Sequence, residues 1–218
     1  MKALFAFAAA ALIAGYATAS EAGVAGGTKT FEANRCGACH QITGPAKEKT
    51  IKDQLAKKGP ELWYAGSKFK PGFLEGWLKD PKPIRPLQYN SLTKKNAGDH
   101  QRLAATEAAD VAAYLMSLTS GDVGPSGIKP GGNPKGKRLF ITRAACYGCH
   151  EVVSRGSVVG GVSGPSLVAA SRRLNVDWVW AYLTNPAVFK PVKDMPNYVG
   201  IIEKEDMADL ASYVAGLE

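Results

Sequence analysis

The sequence predicts an all-α protein that consists of two helical domains in tandem. Apolar residues recur at intervals of three and four positions, which is the pattern of amphipathic helices. No stretch alternates between apolar and polar residues over enough positions to predict a strand. The second half of the chain repeats the first, so the same helical unit is expected twice.

The repeat extends over most of the chain. Its start is marked by "GTKTFEANRCGACH", which is similar to "GKRLFITRAACYGCH" in the second half. Five further positions recur at one offset of 105 residues: Phe73 with Trp178, Leu74 with Val179, Trp77 with Tyr182, Leu78 with Leu183, and Pro81 with Pro186. The last helix of each half is predicted from residues at helical spacing: Val111, Tyr114, Leu115 and Leu118, then Leu210, Tyr213, Val214 and Leu217.

Composition divides the chain into four segments. Residues 1–19 have a lysine, then an apolar run, then small residues, which is the layout of a cleavable signal peptide. An uncleaved anchor is the alternative, although the run is short for a transmembrane helix. Residues 121–136 contain nine glycines and prolines in sixteen positions and are predicted to be a linker. They separate an N-terminal domain, residues 20–120, from a C-terminal domain, residues 137–218.

The chain is basic, with a formal net charge of +8 that falls to +7 when Lys2 leaves with the signal peptide. Positive proteins are steered toward negative surfaces, so we expect partners with acidic docking surfaces. Nucleic acid is the other common partner of basic proteins. The predicted export and the lack of a basic, aromatic-rich motif argue against nucleic acid. No later stretch predicts a membrane span.

The four cysteines form two identical patterns. Cys36 and Cys39 lie in "CGACH", Cys146 and Cys149 lie in "CYGCH", and each pair is followed at once by a histidine. C-x-x-C-H is the attachment motif of c-type haem. Two thiols at this spacing can reach the two vinyl groups of one porphyrin, and the next residue places its imidazole under the iron. The sequence therefore predicts two covalent haem c groups, with His40 and His150 as axial iron ligands.

Other uses of cysteine fit the pattern less well. A Cys-x-x-Cys redox pair is expected in a βαβ context, which this sequence does not predict. Zinc knuckles are typically about 15–20 residues apart. Here the two pairs are 110 residues apart, and each is completed by a histidine. A disulfide framework, the usual role of cysteine in exported chains, would not explain those histidines.

Each half resembles a class I cytochrome c. The resemblance rests on a helix with Gly and Phe, C-x-x-C-H, a "GPEL" or "GPSL" segment, a following loop and a last helix with an aromatic residue. The whole mature chain is similar to tandem dihaem cytochromes c. The resemblance implies two all-α domains, each around one covalent haem with a partly exposed edge. It also implies that the carbonyls of Pro60 and Pro165 accept a hydrogen bond from the two imidazoles.

Met195 is the predicted sixth ligand of the second haem. In the family this ligand is a methionine in the loop before the last helix, and Met195 lies in such a loop, "KPVKDMPNY". Pro196 restricts the backbone next to it. A methionine that only fills the core is the alternative, and Met207, within the last predicted helix, fits that role better.

The first half lacks this methionine, because "KPIRPL" aligns with "KPVKDM" and places Leu87 at the ligand position. The stretch that follows, residues 88–105, is longer than its counterpart and contains His100. We therefore predict His100 as the second axial ligand of the first haem. The alternatives are an open coordination site, with His100 as an exposed loop residue, or a different ligand. Weaker ligand candidates in this stretch are Lys94, Lys95 and Asn96.

These residues predict a periplasmic electron carrier rather than an enzyme. An iron with two protein ligands has no open position for a substrate, but it can pass one electron through the haem edge. The alternatives are a dihaem enzyme that oxidises a small sulfur compound or reduces peroxide, and a gas-binding haem protein. Both require an open or weakly ligated first haem.

Covalent attachment is directly testable. We expect the mature protein, expressed with haem-maturation machinery and then denatured, to keep two haems bound through thioethers. The mass of the denatured chain checks this, and the double variant Cys146→Ala/Cys149→Ala should keep one haem. A mass equal to that of the bare polypeptide would contradict the prediction.

Overall fold

The computed structural model describes residues 23–192 and 195–218; the predicted signal peptide, residues 1–19, lies outside them. The helices of the first half are α1 (residues 23–33), α2 (Ile51–Ala56), α3 (Ala65–Lys68), α4 (Phe73–Lys79) and α5 (Ala105–Ser117). Those of the second half are α6 (Pro134–Ile141), α7 (Ala170–Arg173), α8 (Val176–Thr184), α9 (Pro186–Phe189) and α10 (Lys204–Ala215). The predicted, mainly helical character is confirmed.

Helix starts follow from local sequence. Helix α2 begins with a capping box, in which Thr50 and Asp53 each bond the other's backbone N–H. Helix α6 begins after Asn133, whose side chain accepts from the N–H of Gly136, and Pro134 suits the first helical position. The last three residues of the segment predicted as a linker, residues 121–136, belong to α6.

The prediction that the chain has no strands was wrong. Strands β1 (Glu151–Ser154) and β2 (Ser157–Gly160) form an antiparallel hairpin in the second half. Arg155 and Gly156 connect them, both with positive φ (50° and 78°), as a two-residue type I′ turn requires. Each strand has four residues, too few for a clear alternation. The Arg-Gly pair between two Val-Val pairs was the available signal.

The first and last helices of each half meet at a glycine. A Cβ at Gly27 would lie 2.0 Å from the carbonyl oxygen of Asp110, and one at Gly136 would lie 2.2 Å from that of Asp209. Only glycine permits so close an approach of two helix backbones. The same edge-to-face ring pair follows one turn later: Phe31 with Tyr114 at 5.4 Å, and Phe140 with Tyr213 at 5.5 Å between centroids. The sequence repeat is therefore also a structural repeat.

The two halves pack together through aromatic rings. Trp63 and Tyr64 belong to the first half, but they lie in the buried core of the second. Trp63 stacks on Phe189 with centroids 6.0 Å apart, and Tyr64 stacks on Trp178 at 6.1 Å. Within residues 23–192 and 195–218, which the structure describes, no helix is both long and apolar enough to cross a bilayer.

The close contact of α6 with α10 at Gly136 predicts that one added methyl group destabilises the fold. Gly136→Ala should lower the free energy of unfolding by about 2–3 kcal/mol, because the new Cβ overlaps the α10 backbone. Gly76→Ala is the matched control, since a Cβ there meets nothing within 4 Å. It should leave stability unchanged or raise it by about 0.5–1 kcal/mol. Thermal unfolding followed by circular dichroism measures both, and equal effects would contradict the proposed crossing constraint.

Candidate haem-binding sites

Both C-x-x-C-H motifs adopt one backbone conformation. Cys36–Ala38 and Cys146–Gly148 are single 3₁₀ turns, each preceded by a residue in the left-handed region. The backbone N–H of His40 donates to the carbonyl of Cys36 at 3.0 Å, and that of His150 donates to the carbonyl of Cys146 at 3.0 Å. The motif is thus folded into a compact turn at both sites.

The surroundings of Cys36 and Cys146 do not favour a redox pair or a zinc site. Burial raises the pKa of the Cys36 thiol, and it raises the pKa of the Cys146 thiol to about 11. Reactive Cys-x-x-Cys pairs and thiolate metal ligands have lowered pKa values instead. In the part of the chain that the structure describes, no three His, Cys, Asp or Glu side chains are grouped to hold a metal ion. The described residues therefore offer no support for a thiolate metal site beside either motif.

A proline carbonyl holds each motif histidine. His40 Nδ1 lies 2.8 Å from the carbonyl oxygen of Pro60, and His150 Nδ1 lies 2.6 Å from that of Pro165. Since a carbonyl only accepts, Nδ1 carries the proton and donates. The lone pair is then on Nε2, where a metal can bind it. These are the contacts expected for both prolines.

The two contacts between histidine and proline carbonyl require a nearby glycine, a role that was not predicted from the sequence. A Cβ at Gly59 would lie 2.9 Å from Cε1 of His40, and one at Gly164 would lie 2.6 Å from Cε1 of His150. Any larger residue would push the imidazole away from the proline carbonyl. The signal was a glycine before the proline in both "GPEL" and "GPSL".

Both imidazoles are kept neutral. Burial lowers the pKa of His40 and of His150, and the proline hydrogen bonds only partly oppose it. Neutral imidazole is the form that binds iron, since the charged form has no lone pair to donate. The burial that shelters each site thus also prepares its histidine as a ligand.

Met195 lies in the loop between α9 and α10. Its side chain is half-buried against the core of the second half, and with Pro186, Lys190 and Asn197 it lines a cleft of about 400 Å³. Tyr198 anchors the loop, because its hydroxyl donates to the carbonyl of Ala144 at 2.5 Å. Met207, in contrast, is buried within α10.

Leu87 has a structural role in the first half. It forms an antiparallel bridge with Lys95, and the N–H of Asn96 donates to the carbonyl of Pro86 at 2.9 Å. This closes the chain into a turn, with Lys94 and Lys95 exposed. The Asn96 amide donates to the carbonyl of Arg85 at 3.0 Å, so that its side chain supports the loop.

His100 lies beside His40. Their ring centroids are 6.1 Å apart, and the edge of Trp77 contacts His100 at 4.6 Å between centroids. Two imidazoles on opposite sides of a metal, with bonds of about 2 Å, have centroids about 6 Å apart. His100 Nδ1 donates to the carbonyl of Gln101 at 2.9 Å, so its Nε2 also carries the lone pair. The spacing therefore suits a shared iron.

The surroundings fit a haem in another respect. Three buried N–H groups lack a hydrogen-bond partner among the described residues: Trp63 Nε1, Trp178 Nε1 and Arg85 Nε. Buried donors are nearly always paired in folded proteins. A haem carries two propionate carboxylates, which are strong acceptors and could pair with such donors. When bound, the haem would supply a one-electron couple at its iron. Trp63 follows the first "GPEL" segment directly, and Arg85 interacts electrostatically with His150.

Comparison with known families agrees with this geometry. The family model described as Cytochrome c matches the chain twice, over residues 24–119 and 134–218, and each match includes one C-x-x-C-H motif. No curated protein and no solved structure gives a significant match. The two matched regions cover most of the chain. The chain therefore belongs to the cytochrome c family, whose members bind haem c covalently and transfer electrons.

Proposed function

We propose that the mature chain is a periplasmic dihaem cytochrome that transfers single electrons between redox proteins. The observation that carries the proposal is the repeated pairing of a motif histidine with a proline carbonyl, His40 with Pro60 and His150 with Pro165. Because the pairing occurs twice, two haem c groups are proposed. They are attached through Cys36, Cys39, Cys146 and Cys149. Export follows from the composition of residues 1–19.

Met195 completes the second site in this proposal. Its loop is fixed between α9 and α10, and its side chain is half-buried against the same core as the haem-attachment turn. A thioether sulfur favours iron(II) over iron(III), so ligation by His150 and Met195 gives a high reduction potential. The partly buried surroundings limit contact with water, and this also raises the reduction potential.

His100 completes the first site. The 6.1 Å separation of its ring from that of His40 supports this assignment, and each imidazole uses Nδ1 for a carbonyl. Imidazole donates more strongly than thioether and lacks its preference for iron(II). The first haem then has the lower potential, and electrons pass from it to the second haem.

A carrier of this kind needs no nucleophile or general base. The side chains hold the ligands, exclude water and fix the two sites relative to each other. The stacking of Trp63 on Phe189 and of Tyr64 on Trp178 supports a fixed distance for electron transfer. The charge of +7 on the mature chain supports acidic partner surfaces.

One observation favours a second candidate, a dihaem enzyme or gas-binding protein that uses the first haem. His100 is exposed, and its Nδ1 donates to the backbone carbonyl of the adjacent residue Gln101. A ligand held this loosely can be displaced by peroxide, a small sulfur compound or a gas. Rapid binding of cyanide or carbon monoxide at one haem of the native protein distinguishes this candidate from a pure carrier.

Substitution of His100 tests the first site. In His100→Ala we expect about half of the total haem to become high-spin and to bind cyanide, because one iron loses its second imidazole. Electronic and magnetic-resonance spectra measure this. Met195→Ala should affect the other haem only.

Lys95→Ala is the control, because it removes another side chain in the same stretch that could bind iron. It should leave both haems low-spin. Two low-spin haems in His100→Ala would show that His100 is not the ligand.

Salt dependence tests the proposed partner chemistry. Raising ionic strength from about 0.01 to about 0.1 M shortens the Debye length from about 30 to about 10 Å. The rate constant for association with the physiological redox partner should fall severalfold over this range, because long-range attraction is screened. Stopped-flow mixing measures the rate, with sucrose at matched viscosity as the control. An unchanged rate would refute steering by an acidic surface.

A further inference from the structure

Arg85 belongs to the first half, but its side chain bonds to the second. Its Nη2 donates to the carbonyl of Ser163 at 2.9 Å, and the carbonyl of the preceding residue, Ile84, accepts from the N–H of Ser166 at 2.7 Å. These two contacts lie on either side of Gly164 and Pro165. The loop that contains Ile84 and Arg85 is thus attached to the segment that supports His150.

This segment determines where the second imidazole lies. The carbonyl of Pro165 accepts from His150, so movement of the segment changes the position of the ring. Arg173, from the second half, donates to the carbonyls of Ser166 and Val168. The segment is therefore held by two arginines, one from each half of the chain.

Positive charge accumulates around Arg85. Four further basic side chains lie in this interface: Lys57, Lys68, Arg173 and Lys190. The carboxylates paired with them in the described structure are Glu48 and Glu61. Burial, together with the neighbouring cations, lowers the pKa of the Lys68 ammonium to about 7. Haem propionates would supply the missing negative charge.

We propose that Arg85 is a positioning residue for the second haem, supplied by the first half of the chain. The proposal rests on the proposed function, in which His150 and Met195 ligate that haem. Nη2 holds Ser163, and the buried Nε, which has no partner among the described residues, donates to a haem carboxylate. The guanidinium is always charged, so it also favours iron(II) over the more positive iron(III).

The reduction potential of the second haem is the test. Arg85→Gln should shift its reduction equilibrium by on the order of tenfold toward iron(III), the effect of a unit charge about 10 Å away at an effective dielectric constant of about 20. Tenfold corresponds to a fall of about 59 mV for one electron. A spectroelectrochemical titration of the dihaem protein measures both potentials, and the first haem should change less.

Two further variants make the test specific. Arg102→Gln removes the same charge from the same half, but Arg102 is exposed and pairs with Asp80, so the potential of the second haem should not change. Arg85→Lys keeps the charge but cannot hold Ser163 and a carboxylate in the same geometry. It should shift the equilibrium by about threefold, the size of one lost hydrogen bond. This variant decides the question if Arg85→Gln fails to accumulate with both haems.

The outcomes separate this proposal from the proposed function. Met195→Ala identifies the potential of the second haem by lowering it strongly. If Met195→Ala does so while Arg85→Gln and Arg85→Lys leave that potential at its native value, the role of Arg85 is overturned and the proposed function stands. If Met195→Ala changes neither potential, the ligand assignment fails, and the role of Arg85 fails with it.

Discussion

The hydrogen bond from each motif histidine to a proline carbonyl is the contact on which both sites depend. It puts the proton on Nδ1, leaves Nε2 free and fixes the plane of the ring. A glycine before each proline lets the backbone reach the imidazole, and burial keeps the ring neutral. Without this contact the C-x-x-C-H turn would still carry two thiols, but its histidine would have no defined direction.

The two halves support each other's sites in a reciprocal way. The loop of the first half that contains Arg85 and Leu87 reaches the segment around Pro165 through Arg85. The ligand loop of the second half reaches the segment after Pro60, where Lys190 pairs with the buried carboxylate of Glu61 at 2.9 Å. Burial alone would raise the pKa of Glu61, but Lys190 and Lys57 outweigh this effect and lower the pKa to about 2. Neither half is therefore structurally independent of the other, which suits the proposed role of holding two haems at a fixed distance.

Features encoded by adjacent residues could be predicted from the sequence, and features encoded by distant ones could not. The motifs, the amphipathic helices and the repeat are local or periodic signals, so they were visible. The β1–β2 hairpin was missed because two Val-Val pairs are too short to show a period. The contact between Arg85 and Ser163 joins residues 78 positions apart and leaves no periodic trace. The cap and first residues of α6 are Asn, Pro and Gly, the residue types that also mark a linker, so the start of this helix was not visible in the sequence.

The interface also bears on the role of Leu87, which aligns with the proposed ligand Met195. Arg85 and Ile84 are engaged with the second half, and Leu87 is bridged to Lys95, so this loop is committed to packing. A loop held in this way is not free to present a side chain to its own iron. In the proposed first site the ligand comes from further along the chain, where the extra length before α5 brings the ring of His100 to 6.1 Å from that of His40. The interdomain contact of this loop thus agrees with the proposed use of His100, rather than a residue at position 87, as the iron ligand.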